Sequence, residues 1–195
     1  MRKVFSLFAL TIPLLLLSSC FSGREEQKLL DLALSVQREY LTMDRFSAQA
    51  DLTADYGQRI YQYTLDVSGT QEETVLTVLQ PDLLSGITAR VKDGESFLEY
   101  EDLCLETGPL TEDGLSPMSA IPQLLEQLKR GYLIAWSTDE TGVLRITCGD
   151  PDSSADQGVV YDLWLDRENH TLLRGEISVD GRRCIQCTFS VFTKE

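Results

Sequence analysis

Apolar and polar residues alternate singly along most of the chain, and in two places a spacing of three to four residues replaces the alternation. The first such place begins near Glu25, where Leu29, Leu32, Ala33, Val36 and Tyr40 fall on one helical face and acidic Glu25 and Glu26 stand at the favoured N-terminal end. From Phe46 the period is two. Phe46, Ala48, Ala50, Leu52 and Ala54 form one strand face; after a turn at Asp55-Tyr56-Gly57, Tyr61, Tyr63, Leu65 and Val67 form the next. A third strand, residues 74–79, stops at Pro81. Residues 87–91 and 96–100 flank Lys92-Asp93-Gly94-Glu95, a hairpin signal, and a short strand follows at 103–106. Gly108, Pro109, Gly114 and Pro117 mark a loop. The second helix carries Ile121, Leu124, Leu125 and Leu128 and ends at Gly131. Strands at 132–137, 143–148, 158–165, 171–179 and 182–192 complete the chain. The expected fold is α+β: one antiparallel sheet of about ten strands with two helices. A sheet that wide curls, so it is expected to curve around its helices.

The first twenty residues follow a different rule. Arg2 and Lys3 precede an apolar run, residues 4–17, interrupted only by Ser6, Thr11 and Pro13. A transmembrane helix needs about 20 apolar residues, so the run fits a secretion signal better. It closes on Leu17-Ser18-Ser19-Cys20, which resembles the lipobox of bacterial lipoproteins. That resemblance implies a signal peptide over residues 1–19 and acyl chains, palmitate among them, on the thiol of Cys20. Residues 20–24 are then the lipidated N-terminus and a short tether, and 25–195 one domain. As an extended tether, Phe21 to Arg24 lifts the domain by no more than about 15 to 20 Å from the bilayer.

The formal net charge is −14, and loss of Arg2 and Lys3 makes it more negative. Such a chain is repelled by phosphate backbones, which excludes nucleic acid as a partner and leaves membrane attachment to the lipid.

Candidate chemistry is sparse. Besides Cys20 there are Cys104, Cys148, Cys184 and Cys187, for which three pairings exist. Cys184-Ile185-Gln186-Cys187 has C-x-x-C spacing, but in a strand its ends point to opposite faces, so free thiols are expected in place of a redox or metal motif. His170, the single histidine, sits in a polar turn and is expected to be solvated. Glu99 and Glu101 share a strand face beside Asp102 and are the one carboxylate pair able to support a hydrolase. The loop from Asp150 to Asp156 spaces oxygens as calcium loops do but lacks glycine at its sixth position (Ala155) and glutamate at its twelfth (Tyr161). No metal or cofactor is therefore expected. The strongest apolar set is Tyr61, Tyr63, Leu65, Leu124, Leu128, Trp136 and Trp164, which the sequence assigns either to an ordinary core or to a groove for an apolar ligand.

The order of elements, with Val75-Leu76-Thr77-Val78-Leu79-Gln80-Pro81, the Val91 to Tyr100 hairpin, and Leu163-Trp164-Leu165-Asp166 before Leu172-Leu173-Arg174-Gly175-Glu176-Ile177, resembles the LolA/LolB-like lipoprotein-carrier superfamily. Its membrane-anchored sporulation and germination lipoproteins look nearest. The resemblance implies an unclosed β half-barrel with both helices on the concave side, which holds acyl chains in carriers and serves as a protein-binding platform in other relatives. Carriers use an arginine inside the cavity, whereas alternation places Arg90 and Arg145 outward. The expected function is that of a non-enzymatic, membrane-anchored binding module at the cell envelope, for a hydrophobic ligand or a partner envelope protein. The alternative is a carboxylate-dependent envelope hydrolase.

Overall fold

The computed structural model describes residues 19–92, 95–101, 103–106, 116–153 and 157–195, with side chains from residue 24 onward. The leader before Ser19, the Asp93-Gly94 hairpin tip, Asp102, the loop at 107–115 and residues 154–156 of the acidic loop lie outside the described residues.

Helix α1 (Ser19–Leu41) leads into an eleven-stranded antiparallel sheet. The strands are β1 (Arg45–Asp55), β2 (Ile60–Thr70), β3 (Glu73–Gln80), β4 (Thr88–Lys92), β5 (Glu95–Tyr100) and β6 (Leu103–Glu106), then helix α2 (Pro117–Arg130), then β7 (Leu133–Thr138), β8 (Leu144–Cys148), β9 (Val159–Leu165), β10 (Leu172–Val179) and β11 (Arg182–Lys194). Their order across the sheet is β6-β5-β4-β3-β2-β1-β11-β10-β9-β8-β7. The sheet is unclosed, as the half-barrel expectation requires.

That order dictates where α2 must lie. β6 and β7 are the two edges of the sheet, yet they are consecutive strands, so the chain between them has to cross a whole face. Helix α2 makes the crossing, contacting β4, β1, β11, β10 and β9 on the way. Ser116 caps its start, accepting from Met118 N at 3.2 Å, with Ser119 completing a reciprocal capping box and Pro117 at the first helical position. Its stripe of Ala120, Ile121, Leu124, Leu125 and Leu128 is buried throughout. At Gly175 the helix lies directly on the sheet: a Cβ there would come within 2.6 Å of Leu124 Cδ1.

The alternation in β1 emerges intact, with Phe46, Ala48, Ala50, Leu52 and Ala54 buried and their neighbours turned outward. Two expectations are corrected. Helix α1 starts at Ser19 and not near Glu25, so residues 21–24 are helical and not an extended tether, and Glu25 sits inside the helix, paired with Lys28 at 2.6 Å. His170 is not a solvated turn residue. Its Nδ1 lies 2.6 Å from Glu39 Oε2, its carbonyl accepts from Tyr40 Oη at 2.8 Å and Lys194 Nζ at 3.1 Å, and Lys194 also pairs with Glu39. This clasp ties the end of α1 to the β9–β10 turn and the last strand. Burial pushes the Glu39 carboxyl up, but the hydrogen bonds from Lys194 and His170 outweigh it and hold the group below its ordinary value.

Candidate functional site

The apolar set singled out in the sequence does not form one surface. Leu65, Leu124 and Leu128 are completely buried in the middle of the concave side, where they pack among Leu52, Leu76, Leu163 and Leu165. Tyr63 and Trp136 are half-buried at the margins of that cluster. Tyr61 is 37% exposed, its ring 6.1 Å from that of Tyr56, so β2 emerges from under the helices toward this end. Burial raises the pKa of both Tyr56 and Tyr63. At the far edge, Tyr100, Leu103 and Leu105 share the concave face with Leu98 and are 47%, 75% and 64% exposed. Among the described residues, no helix is long and apolar enough to cross a membrane.

Trp164 departs from its assignment to the groove. It alternates with buried Leu163 and Leu165 and so stands on the opposite, outer face. There the register aligns Arg145, Trp164 and Arg174 across β8, β9 and β10, and the two guanidinium carbons lie 5.2 and 4.8 Å from the indole ring. Arg145 does point outward, as expected, and so does Arg90, which binds Glu73 at 2.5 Å and Glu99 at 3.3 Å.

The remaining candidates resolve locally. Glu99 is engaged by Arg90, and Glu101 lies beyond the strand at φ 53°, so the carboxylate pair required by the hydrolase alternative is not assembled. In the acidic loop Asp150 accepts from Asp152 N and Ser153 Oγ; Asp156 and Ala155 are outside the described residues. Cys104, Cys148, Cys184 and Cys187 are free thiols. Burial raises the pKa of both thiols, that of Cys148 to about 12, which favours the protonated form at neutral pH. The Cys184–Cys187 spacing does not separate the two onto opposite faces, because Cys184 is the unpaired residue of a bulge opposite Ile177 and Ser178. It therefore packs against the same apolar cluster that contains Cys187.

A feature missed by sequence reasoning occupies the outer face. A cavity of about 320 Å³ is bounded by β7, β8, β9 and the loop after β8. Its floor is formed by Ala135, Ser137, Arg145, Thr147 and Asp162, and its rim by Asp150, Ser153 and Gln157. Asp162 accepts from Arg145 and Thr147, which fixes its position. The alternation of β8 and β9 places Arg145, Thr147 and Asp162 on one face, but nothing local in the sequence announces that Asp150, Ser153 and Gln157 come to the rim.

No protein-family model matches the chain, and no curated protein matches it in sequence. Solved structures similar to it include a DUF1329 family protein from Desulfovibrio piger, 11% identical over 87% of this chain and 93% of that one, with a TM-score of 0.49. A LolA superfamily protein from Nitrosomonas europaea is 11% identical over 86% and 93%, with a TM-score of 0.42. The lipoprotein LppX of Mycobacterium tuberculosis is 19% identical over 82% and 92%, also at 0.42. Of these, the Nitrosomonas protein bears the name of the superfamily that the sequence resembles.

Proposed function

We propose that the chain is a lipid-anchored extracytoplasmic binding module, without a reaction of its own, whose occupant is an envelope protein and not a free acyl chain. One observation carries this preference. Where a carrier needs an open apolar channel, α2 is seated on the sheet, with Leu124 against Gly175 and Leu65, Leu124 and Leu128 closed to solvent. On the concave face, accessible apolar side chains include Tyr100, Leu103 and Leu105 at the β5–β6 edge and Tyr61 near the start of β2, where a protein surface reaches them.

The lipobox supports the anchor, with Cys20 as the acylated residue; two or more acyl chains hold a protein stably where one does not. Because α1 is continuous from Ser19, Cys20 stands about 20 Å along the helix axis from Ala33, the first completely buried helical residue, at 1.5 Å per residue. The anchor then fixes orientation as well as distance. A diffusing shuttle is disfavoured, and a stationary docking protein near the bilayer fits.

Intact mass spectrometry of the full chain purified from membranes is expected to show an N-terminus at Cys20 bearing acyl mass, absent from Cys20→Ala. Native mass spectrometry of the same material is expected to show no second, tightly held lipid. An unacylated N-terminus at another residue defeats the anchor, and stoichiometric co-purified lipid beyond the anchor turns the assignment to a carrier.

A further inference from the structure

Strand β6 is an edge whose far side no described strand pairs, so every second residue from Leu103 to Glu106 turns its backbone N–H and C=O away from β5. An open row of this kind is a template for a further strand. The side chains beside it are sorted by face. Register places Leu105 opposite Leu98 and Leu103 opposite Tyr100 on the concave side, and Tyr100, Leu103 and Leu105 are exposed, so neither helix covers them. Cys104 stands on the convex side, opposite Glu99.

Charge decides what can pair there. Between Lys92 and Lys129 the chain carries nine acidic residues and no lysine, arginine or histidine, a block that includes the whole of β5 and β6. The basic residues nearest in register are Arg90 and Lys92 on β4. Arg90 is already held by Glu73 and Glu99, and Lys92 stands opposite Glu95. Glu95 and Glu101 are exposed and keep a negative field at the edge. Pairing β6 with the β6 of a second copy would bring two such blocks together, and like charges oppose it. An acyl chain has no groups for the backbone row. A strand of alternating apolar and basic residues meets every demand: its backbone pairs with that of β6, its apolar side chains lie on Tyr100, Leu103 and Leu105, and its cations meet the carboxylates.

We propose, on the footing that the chain is a protein-docking module, that the free edge of β6 takes an extended, lysine- or arginine-bearing segment of an envelope protein, which adds to the sheet as a twelfth strand. The four residues of β6 supply few hydrogen bonds, so apolar contact and charge attraction carry much of the affinity, and binding is sensitive to salt.

The full chain is titrated with an end-blocked peptide of about eight residues that alternates valine with lysine, followed by NMR shifts and amide hydrogen exchange. Saturable binding is expected, with exchange of the β6 amides slowed about 10-fold or more, the β7 amides unchanged, and affinity falling as salt is raised from about 50 to about 500 mM. Glutamate in place of lysine should weaken binding about 10-fold or more, and N-methylation of the inner peptide amides should abolish it. Leu105→Lys, at an exposed position, should weaken the lysine peptide by about the same factor with the urea unfolding transition retained. No protection of β6, equal affinity for the glutamate peptide, or binding that survives N-methylation would each overturn the proposal. So would a dimer of the chain alone that Leu105→Lys dissolves, which would give the edge to a second copy. Failure of the peptide with no co-purified lipid removes strand addition and leaves the protein-docking reading in place, whereas stoichiometric co-purified lipid removes that reading without altering the β6 result.

Discussion

Strands β7 and β6 are both edges of the sheet, but one lies beneath helices and the other does not. At the β7 end, α1 packs on the edge strand, Gln37 Nε2 donates to Gly131 O at 3.0 Å, and the Glu39–His170–Lys194 clasp ties helix, turn and last strand together. At the β6 end the chain offers Tyr100, Leu103 and Leu105 to solvent. Coverage of the concave side is thus uneven. Two helices cannot span eleven strands, and their position follows from the connections: α1 runs into β1 at the centre, and α2 must cross to deliver the chain to β7. Stability is expected to concentrate under the helices, which leaves the other end free for binding at little cost to the fold.

The strongest test of this contrast is a pair of truncations. Leu124→Ala, beneath the helices, should lose about 2–5 kcal/mol in urea unfolding, whereas Leu105→Ala at the open edge should stay within about 0.5 kcal/mol. Equal losses would mean that the two ends are equally part of the core.

Gly175→Ala comes next, at about 1–3 kcal/mol, because the new Cβ has no room against Leu124. Combining it with Leu124→Ala should recover part of that loss, and strict additivity in the double-mutant cycle would refute the contact.

A smaller effect belongs to the clasp. Glu39 has a folded-state pKa below its ordinary 4.5, so its contribution is present above that value and is lost as pH falls through the folded pKa. Glu39→Gln should therefore flatten the acid limb of the stability profile below about pH 4.5. With the side chain 40% exposed, solvent screening limits the change at neutral pH to less than about 1 kcal/mol. An unchanged acid limb would assign the clasp no energetic role.

The least perturbing measurement is hydrogen exchange. Amides of β6 should exchange about 100-fold faster than that of Ile177, since β6 pairs on one side only and is short, while β10 is paired on both sides beneath α2. Comparable protection would show that the edge is covered.

Much of the fold was legible because its signals are local. The alternation from Phe46 to Ala54 and the stripe from Ile121 to Leu128 each record one buried face, and the structure preserves both. The outward direction of Arg90 and Arg145 followed from the same period. Trp164 was misassigned because its size outweighed its phase: alternation with Leu163 and Leu165 already sets it on the other face. Cys184 was misplaced for the opposite reason. Strict alternation was applied across a bulge, and a bulge depends on the partner strand.

By itself, then, the sequence determined where strands and helices form, which side chains share a face, and that the N-terminal stretch resembles a lipobox, because periodicity and short motifs are set by neighbours a few residues apart. Only the tertiary structure decided which strands became edges, that α2 closes the middle of the concave side, that His170 is engaged by Glu39, and that a cavity forms beside Asp162 and Arg145. Those features depend on contacts between residues far apart in the chain, and no local spacing encodes them.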